Sequence, residues 1–443
     1  MTSDLSRRRF MAGASAAGLA CNVSAAETGK PALLGGAKVR TQPFPSWPIT
    51  GPAEERALLD VLHSGKWYRG SGSIVKKFEQ EYARVTGARE CLAVCNGTAA
   101  LLVSLNACGV EPGDEVVIPP YTFVATLNVV LRQHALPVFV DTDPETFQID
   151  ARKVEAAITP DTRAIVPVHL GGNVADLDTL LEVARRRKVP LIEDACQAHL
   201  AEWKGRKAGV WGDAGCFSFQ ASKNLNSGEG GAILFNDPEL RERAYAFHNN
   251  GSGQRFIGNN FTYASSGANL RLTEFQAGIL LAQMERIEQQ ARRRTANARY
   301  LTSMLQEING ISPAKQYEGC TVNAYHLYML RYNSDAFAGL KRDHFLKALA
   351  AEGIPASGGY SPLNSQEFLK QAIHSRGYQR LFSAQRLKQW EERNHCPAND
   401  RLCTQAVWFT QTMLLGERGD MEQIVEAVRK IQAHAGELAK AQA

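Results

Sequence analysis

Cys216-Phe217-Ser218-Phe219-Gln220-Ala221-Ser222-Lys223-Asn224-Leu225-Asn226-Ser227-Gly228-Glu229-Gly230-Gly231, with the apolar run 232 to 235 behind it, reads as a strand, a glycine-rich loop and a second strand. It is one beat of a longer rhythm. Between about residues 90 and 235, short β-rich runs recur at 91 to 94, 115 to 118, 138 to 140, 164 to 168, 190 to 192, 216 to 219 and 232 to 235. The stretches between them, such as 176 to 187 with apolar residues at helical spacing, are long enough to cross a sheet face. That alternation predicts an α/β fold built on a mostly parallel central sheet. Further out, a helical pattern rich in Gln, Arg and Leu covers 273 to 307. It leads into a second region with a strand-like run at 325 to 332 and helices near 342 to 350 and 421 to 433. The expected organisation is a large unit over 33–306, including an N-terminal arm, and a smaller C-terminal α/β unit over 307–443. There is no internal repeat and no low-complexity linker.

The chain has 443 residues, 44% hydrophobic, 21% charged and 8% aromatic, which is the composition of a folded enzyme with a large core. The N-terminus is different in kind. Ser6-Arg7-Arg8-Arg9-Phe10-Met11 precedes a mildly apolar Ala/Gly-rich run that ends near Val23-Ser24-Ala25-Ala26. That order predicts a twin-arginine signal peptide over 1–26 and a periplasmic or extracytoplasmic protein. Cys21 after Leu19-Ala20 sits one place away from a lipidation pattern. No stretch approaches the roughly 18 uninterrupted apolar residues of a membrane span, so no membrane association is expected after cleavage. Loss of residues 1 to 25 removes three arginines and Asp4 and takes the formal charge from +5 to +3, which gives no argument for nucleic acid. Eight cysteines remain, and an oxidising compartment permits bridges such as Cys91 with Cys95 or Cys396 with Cys403, or buried thiols. Neither spacing comes with a second pair or with histidines at metal-site intervals, so no metal is expected.

Four motifs lie along the α/β region. Cys95-Asn96-Gly97-Thr98-Ala99-Ala100 follows a strand and opens a helix. Its glycine and free amides suit a phosphate, and Thr98 as an ordinary N-cap fits the same residues. Pro119-Pro120-Tyr121-Thr122-Phe123 puts an aromatic ring at a strand end, either to stack on a flat ligand or to fill core. In Leu191-Ile192-Glu193-Asp194-Ala195-Cys196-Gln197-Ala198-His199 an apolar strand runs into a carboxylate. A buried acid there calls for a cationic partner, whereas a surface Asp194 would cap the next helix. Lys223 sits between a hydroxyl-bearing strand and the glycine-rich loop, where desolvation favours the neutral amine that attacks a carbonyl.

Taken together and in order, these motifs resemble the DegT/DnrJ/StrS sugar aminotransferases, which are fold-type I pyridoxal-phosphate enzymes. The likeness spans about Leu33 to Lys430. It implies pyridoxal 5'-phosphate as cofactor, with Lys223 as its Schiff-base residue. Asp194 would face the pyridinium nitrogen, Gln197 the phenolic oxygen and Phe123 the ring. Gly97, Thr98 and Ser218 would hold the phosphate, together with Asn269 from a partner subunit in a homodimer with shared active sites. Asp194 would keep the ring nitrogen protonated, and Lys223 would move the proton as general base and acid. Dehydratase relatives carry histidine at the lysine position, so lysine here implies transamination.

The opening Leu33-Leu34-Gly35-Gly36-Ala37-Lys38-Val39-Arg40-Thr41 and Pro43-Phe44-Pro45-Ser46-Trp47-Pro48 resemble the branch with scyllo-inosose aminotransferases and aminohydroxybenzoate synthases. The implied acceptor is a keto-cyclitol or keto-sugar, and the implied donor glutamine or glutamate. The alternatives are a nucleotide-keto-sugar acceptor or a non-catalytic sensor that binds the cofactor on the same fold. His326 and Tyr360 resemble substrate-side residues, with packed core aromatics the competing reading.

Overall fold

The computed structural model describes residues 29–253 and 263–441, so the segment read as a signal peptide, 1–26, lies outside the described residues. Seven strands form the central layer: β1 (Glu90–Val94), β2 (Glu115–Ile118), β3 (Leu136–Phe139), β4 (Thr162–Ile165), β5 (Ile192–Asp194), β6 (Ala214–Ser218) and β7 (Gly231–Phe235). Their order is β3-β2-β4-β5-β6-β7-β1, with β4 and β5 joined by parallel bridges from Ile165 to Leu191 and from Val168 to Asp194. β7 alone among these seven runs against its neighbours, antiparallel to β6 and to β1. The sheet is therefore mostly parallel, as the alternating pattern predicts.

Both faces of this sheet are covered, which explains the near-continuous apolar runs. Leu92 and Val94 of β1 enter one core while Cys91 and Ala93 enter the other; Val116 and Val117 of β2 divide the same way. The crossover helices are sharply delimited. Asp176 caps Leu177–Arg187, its carboxylate accepting from the Thr179 amide and hydroxyl at 3.2 and 2.7 Å, and Lys188 ends the helix in the left-handed region.

A second, antiparallel sheet comprises β8 (Ile311–Pro313), β9 (Leu327–Tyr332) and β10 (Ala406–Thr410), with β9 in the middle. Leu301, Leu305, Tyr332, Phe345, Ile424 and Val428 belong to the core beneath it. The helical stretch expected over 273 to 307 is two helices, Glu274–Met284 and Ile287–Leu305. The break falls at Arg286, which turns its guanidinium away to Glu54 and the Ile49 carbonyl.

Two long-range returns were not legible in the sequence. Leu34, Val39 and Phe44 of the N-terminal arm pack on the second core. There the fully buried Glu352 carboxylate accepts from the Ala32 and Val39 amides at 2.8 and 3.0 Å and pairs with Lys430 at 3.0 Å. In the opposite direction, helices between 367 and 393 fold back on the first sheet. Tyr378 donates to the Ala135 carbonyl and Trp390 Nε1 to that of Pro137, at 2.8 and 2.5 Å. All eight described cysteines are free, and none of the pairings open to them is formed. No described helix is long and apolar enough to cross a membrane.

Candidate active site

At the carboxyl ends of β5 and β6 the structure opens a cavity of about 510 Å³, the usual ligand position in a wound α/β sheet. Nine of the ten residues singled out in the sequence line it: Gly97, Thr98, Phe123, Asp194, Gln197, Ser218, Lys223, His326 and Tyr360. Asn269 does not. It is exposed and bridges to Asn249.

One wall is the start of the helix Gly97–Ala107. Asn96 caps it by accepting from the Ala99 amide at 2.8 Å, so the capping role weighed for Thr98 belongs to Asn96. Thr98 lines the cavity beside the first-turn amides, which suit an anion. Gly97 is required by close approach: a Cβ there would lie 2.7 Å from the Ser218 Cβ and 3.0 Å from Cys196 Sγ.

Asp194 forms the deep end and is only 4% exposed. Its Oδ2 accepts from the Thr126 hydroxyl at 2.9 Å and its Oδ1 from the Cys196 amide at 3.2 Å. No described lysine, arginine or histidine pairs with it, so a buried carboxylate points into the cavity without a cation. The preceding residue is anchored on the other face of β5. Glu193 accepts from His169 Nε2 and the Gly209, Trp211 and Gly212 amides at 2.7 to 2.9 Å. Burial alone would raise its carboxyl, but the His169 hydrogen bond and charge and the two glycine amides hold it below the usual range.

Lys223 lies opposite, on the loop after β6. The loop is held by the Ala221 amide on the Gly228 carbonyl at 2.9 Å, a turn that uses φ +83 at Gly228, and by Trp47 Nε1 on the Ala221 carbonyl at 2.9 Å. The residue as a whole is half-buried, while its amine end is enclosed; burial pushes the ammonium down, and Cys196 and Asp194 oppose the shift. Lys223 is thus biased toward the neutral amine, the form the sequence reading required.

The third wall comes from the second half of the chain. Tyr360 packs edge-on against Trp408 with centroids 4.6 Å apart, and burial raises its phenol to about 12. Gln197 donates to the Tyr360 oxygen at 3.1 Å and accepts the Gly171 amide at 2.7 Å. His326 Nδ1 lies 3.3 Å from Asn224 Oδ1, and burial, then Lys223, His199 and Arg294, push its imidazolium well down.

Phe123 is 56% exposed, a large ring left open at the cavity rim. A flat cation-bearing heteroaromatic phosphate fits these residues: an aromatic face to cover it, an unpaired carboxylate for its ring nitrogen and free amides for its phosphate. Several contributors went unmarked in the sequence. Thr122 and Thr126 are ordinary strand-and-helix residues in composition. His199 stands in a quoted motif, yet nothing there foretold that its ring would be buried beside Phe217 and Phe219.

The profile of the DegT/DnrJ/EryC1/StrS aminotransferases matches residues 48–429. The chain belongs to that family. Like other DegT/DnrJ/EryC1/StrS members it is a pyridoxal-phosphate-dependent aminotransferase. An L-glutamine:2-deoxy-scyllo-inosose aminotransferase of Streptoalloteichus tenebrarius is 39% identical over 422 residues, covering 92% of this chain and 98% of that one. An L-glutamine:scyllo-inosose aminotransferase of Streptomyces griseus is 37% identical over 413 residues, covering 90% and 97%. Among solved structures, a 3-amino-5-hydroxybenzoic acid synthase superposes with a TM-score of 0.79 at 32% identity, over 89% of this chain and all of that one.

Proposed function

We propose that this chain transfers an amino group from glutamine to the ketone of a cyclitol of the scyllo-inosose class. Two cyclitol aminotransferases that match it over nine-tenths of its length support the reading. The observation that carries the choice of a neutral acceptor is the charge of the cavity wall. Lys223 is the one lysine or arginine among the described residues that line it, so the wall this chain provides offers no second cation to a nucleotide diphosphate.

When bound, pyridoxal phosphate supplies a carbonyl for the amine and a sink for the electrons released at the donor carbon. The residues of the chain do the rest. The Gly97 and Thr98 amides with the Thr98 and Ser218 hydroxyls would take its phosphate, and the Phe123 ring would cover one face. Asp194 offers a fixed negative charge to the ring nitrogen. Lys223 Nζ, neutral when desolvated, accepts the proton leaving the donor carbon and returns it one atom away. Gln197 and Tyr360 close the side on which the substrate enters and exclude water from it.

The reading includes two further parts. Asn269 is exposed and is not among the residues lining its own cavity, which supports a homodimer in which it completes the phosphate pocket of the other copy. Residues 1–26 act as a twin-arginine leader, so that the folded, cofactor-loaded protein is exported. An active monomer by gel filtration, or activity confined to the cytoplasm after fractionation, would contradict these parts.

The central experiment divides turnover in two. Loaded enzyme is mixed with glutamine until its visible band is lost, then with inososes, keto-glucosides and nucleotide keto-sugars. Recovery with inososes is expected; recovery only with nucleotide sugars, or with no ketone, would overturn the acceptor class.

A further inference from the structure

Asp194 is held by a directed pair of hydroxyls. Thr126 Oγ1 lies 2.9 Å from Asp194 Oδ2 and 3.0 Å from Thr122 Oγ1, and both threonines are 1% exposed. A carboxylate oxygen only accepts, so the Thr126 proton points at Asp194. The Thr126 oxygen is then free to accept, and the Thr122 proton points at Thr126. The direction runs Thr122 to Thr126 to Asp194, each bond polarising the next. Both hydroxyls come from the segment that also carries Phe123, where the Thr126 amide bonds to the Phe123 carbonyl at 3.2 Å. Stacking ring and carboxylate support are thereby parts of one turn.

We infer that Thr126, backed by Thr122, is a positioning residue: it fixes the orientation of the Asp194 carboxylate and keeps its negative charge on offer to the cofactor's ring nitrogen. The second oxygen of Asp194 accepts from the Cys196 amide at 3.2 Å, the Cys196 thiol also bonds to the carboxylate, and no described cation forms an ion pair with either oxygen. Without the hydroxyl, the carboxylate is free to rotate off the ring axis and to take the shared proton itself. The ring would then be a weaker electron sink. This inference rests on the proposed transamination but is testable apart from it.

The test compares wild type, Thr126→Val, Thr126→Ser and Thr122→Val, loaded with pyridoxal phosphate carrying 15N in its ring. The ring-nitrogen resonance reports directly whether that nitrogen is protonated. Wild type and Thr126→Ser are expected to show the protonated signature, and Thr126→Val to lose most of it. The first half-reaction with glutamine should slow about 10- to 100-fold in Thr126→Val, the scale of one hydrogen bond to a charged group, and recover in Thr126→Ser. Thr122→Val should lie between. Melting temperature checks that valine, equal in shape, leaves the fold intact. An unchanged resonance in Thr126→Val, or a loss that serine does not restore, overturns the inference. A wild type that is inert to glutamine yet shows the valine-sensitive resonance would overturn the proposed function and leave this inference standing.

Discussion

Gln197 links the end of the central sheet to the far wall of the cavity, donating to the Tyr360 phenol oxygen at 3.1 Å while its own oxygen accepts the Gly171 amide at 2.7 Å. Both ends of one amide are therefore used, which fixes its orientation. Tyr360→Phe keeps the packing against Trp408 and Tyr121 but removes the acceptor. Steady-state kinetics should show kcat/KM for the ketone falling about fivefold, the equivalent of one neutral hydrogen bond, with the melting temperature nearly unchanged. An unaltered kcat/KM would mean the contact has no bearing on substrate.

In the proposed mechanism Lys223 is both the point of attachment and the proton carrier. Lys223→Ala should reduce amino transfer by at least about 10²- to 10⁴-fold and shift the visible absorption of the loaded protein. Its neighbour Asn224 belongs to the support, donating to the Ala324 carbonyl at 2.8 Å, so Asn224→Ala should lower activity without changing that spectrum. Turnover persisting in Lys223→Ala would remove the basis of the mechanism.

The space between Gly97, Ser218 and Cys196 admits no extra carbon. Gly97→Ala must push the helix start away from β6, at an overpacking cost of about 1–3 kcal/mol. The dissociation constant for pyridoxal phosphate, measured by equilibrium dialysis, should rise about tenfold. Retention equal to wild type would show that the phosphate is held elsewhere.

His199 and His248 are kept neutral, burial pushing each down to about 3, aided by Lys223 at the first and Arg69 at the second. In the unfolded chain both titrate near 6.5. Between those values the unfolded state binds protons that the native state refuses, so stability is full above about 6.5 and declines as pH falls toward 3. Each histidine contributes a slope of about 1.4 kcal/mol per pH unit. Urea midpoints at pH 7 and 5 should differ accordingly, and His199→Phe should remove one proton's share of the slope. Identical slopes in the two proteins would show that His199 is charged in the fold.

Asp194 was legible because it breaks an apolar strand at its end, and Lys223 because it sits in the loop between an apolar strand and a glycine-rich turn, places where a charge has few structural uses. The wound sheet was legible for a related reason: two buried faces leave uninterrupted runs such as Val116-Val117-Ile118. Direction was not. The run over β7 is as apolar as that of β5 and carries no mark of polarity, so its antiparallel course appears only in the pairing of Gly231 with Ser218 and Val94. Thr122 and Thr126 escaped notice because a hydroxyl's role depends on what it faces. The helices between 367 and 393 escaped because they are mostly polar, with Leu369, Leu387 and Trp390 among their few inward contacts.

Glu352 gathers the Ala32 and Val39 amides, the Arg40 amide through its own carbonyl at 2.9 Å, and the Lys430 ammonium. Residues 32–40 and Lys430 are thus buckled together around a single acid that is not among the residues lining the cavity. Trimming the front of the polypeptide past Arg40 would loosen the last long helix, Arg418–Ala433, before it disturbed the sheet that comes next in sequence. On the proposed export reading, a peptidase that removes residues 1–26 cuts ahead of this buckle and leaves it whole.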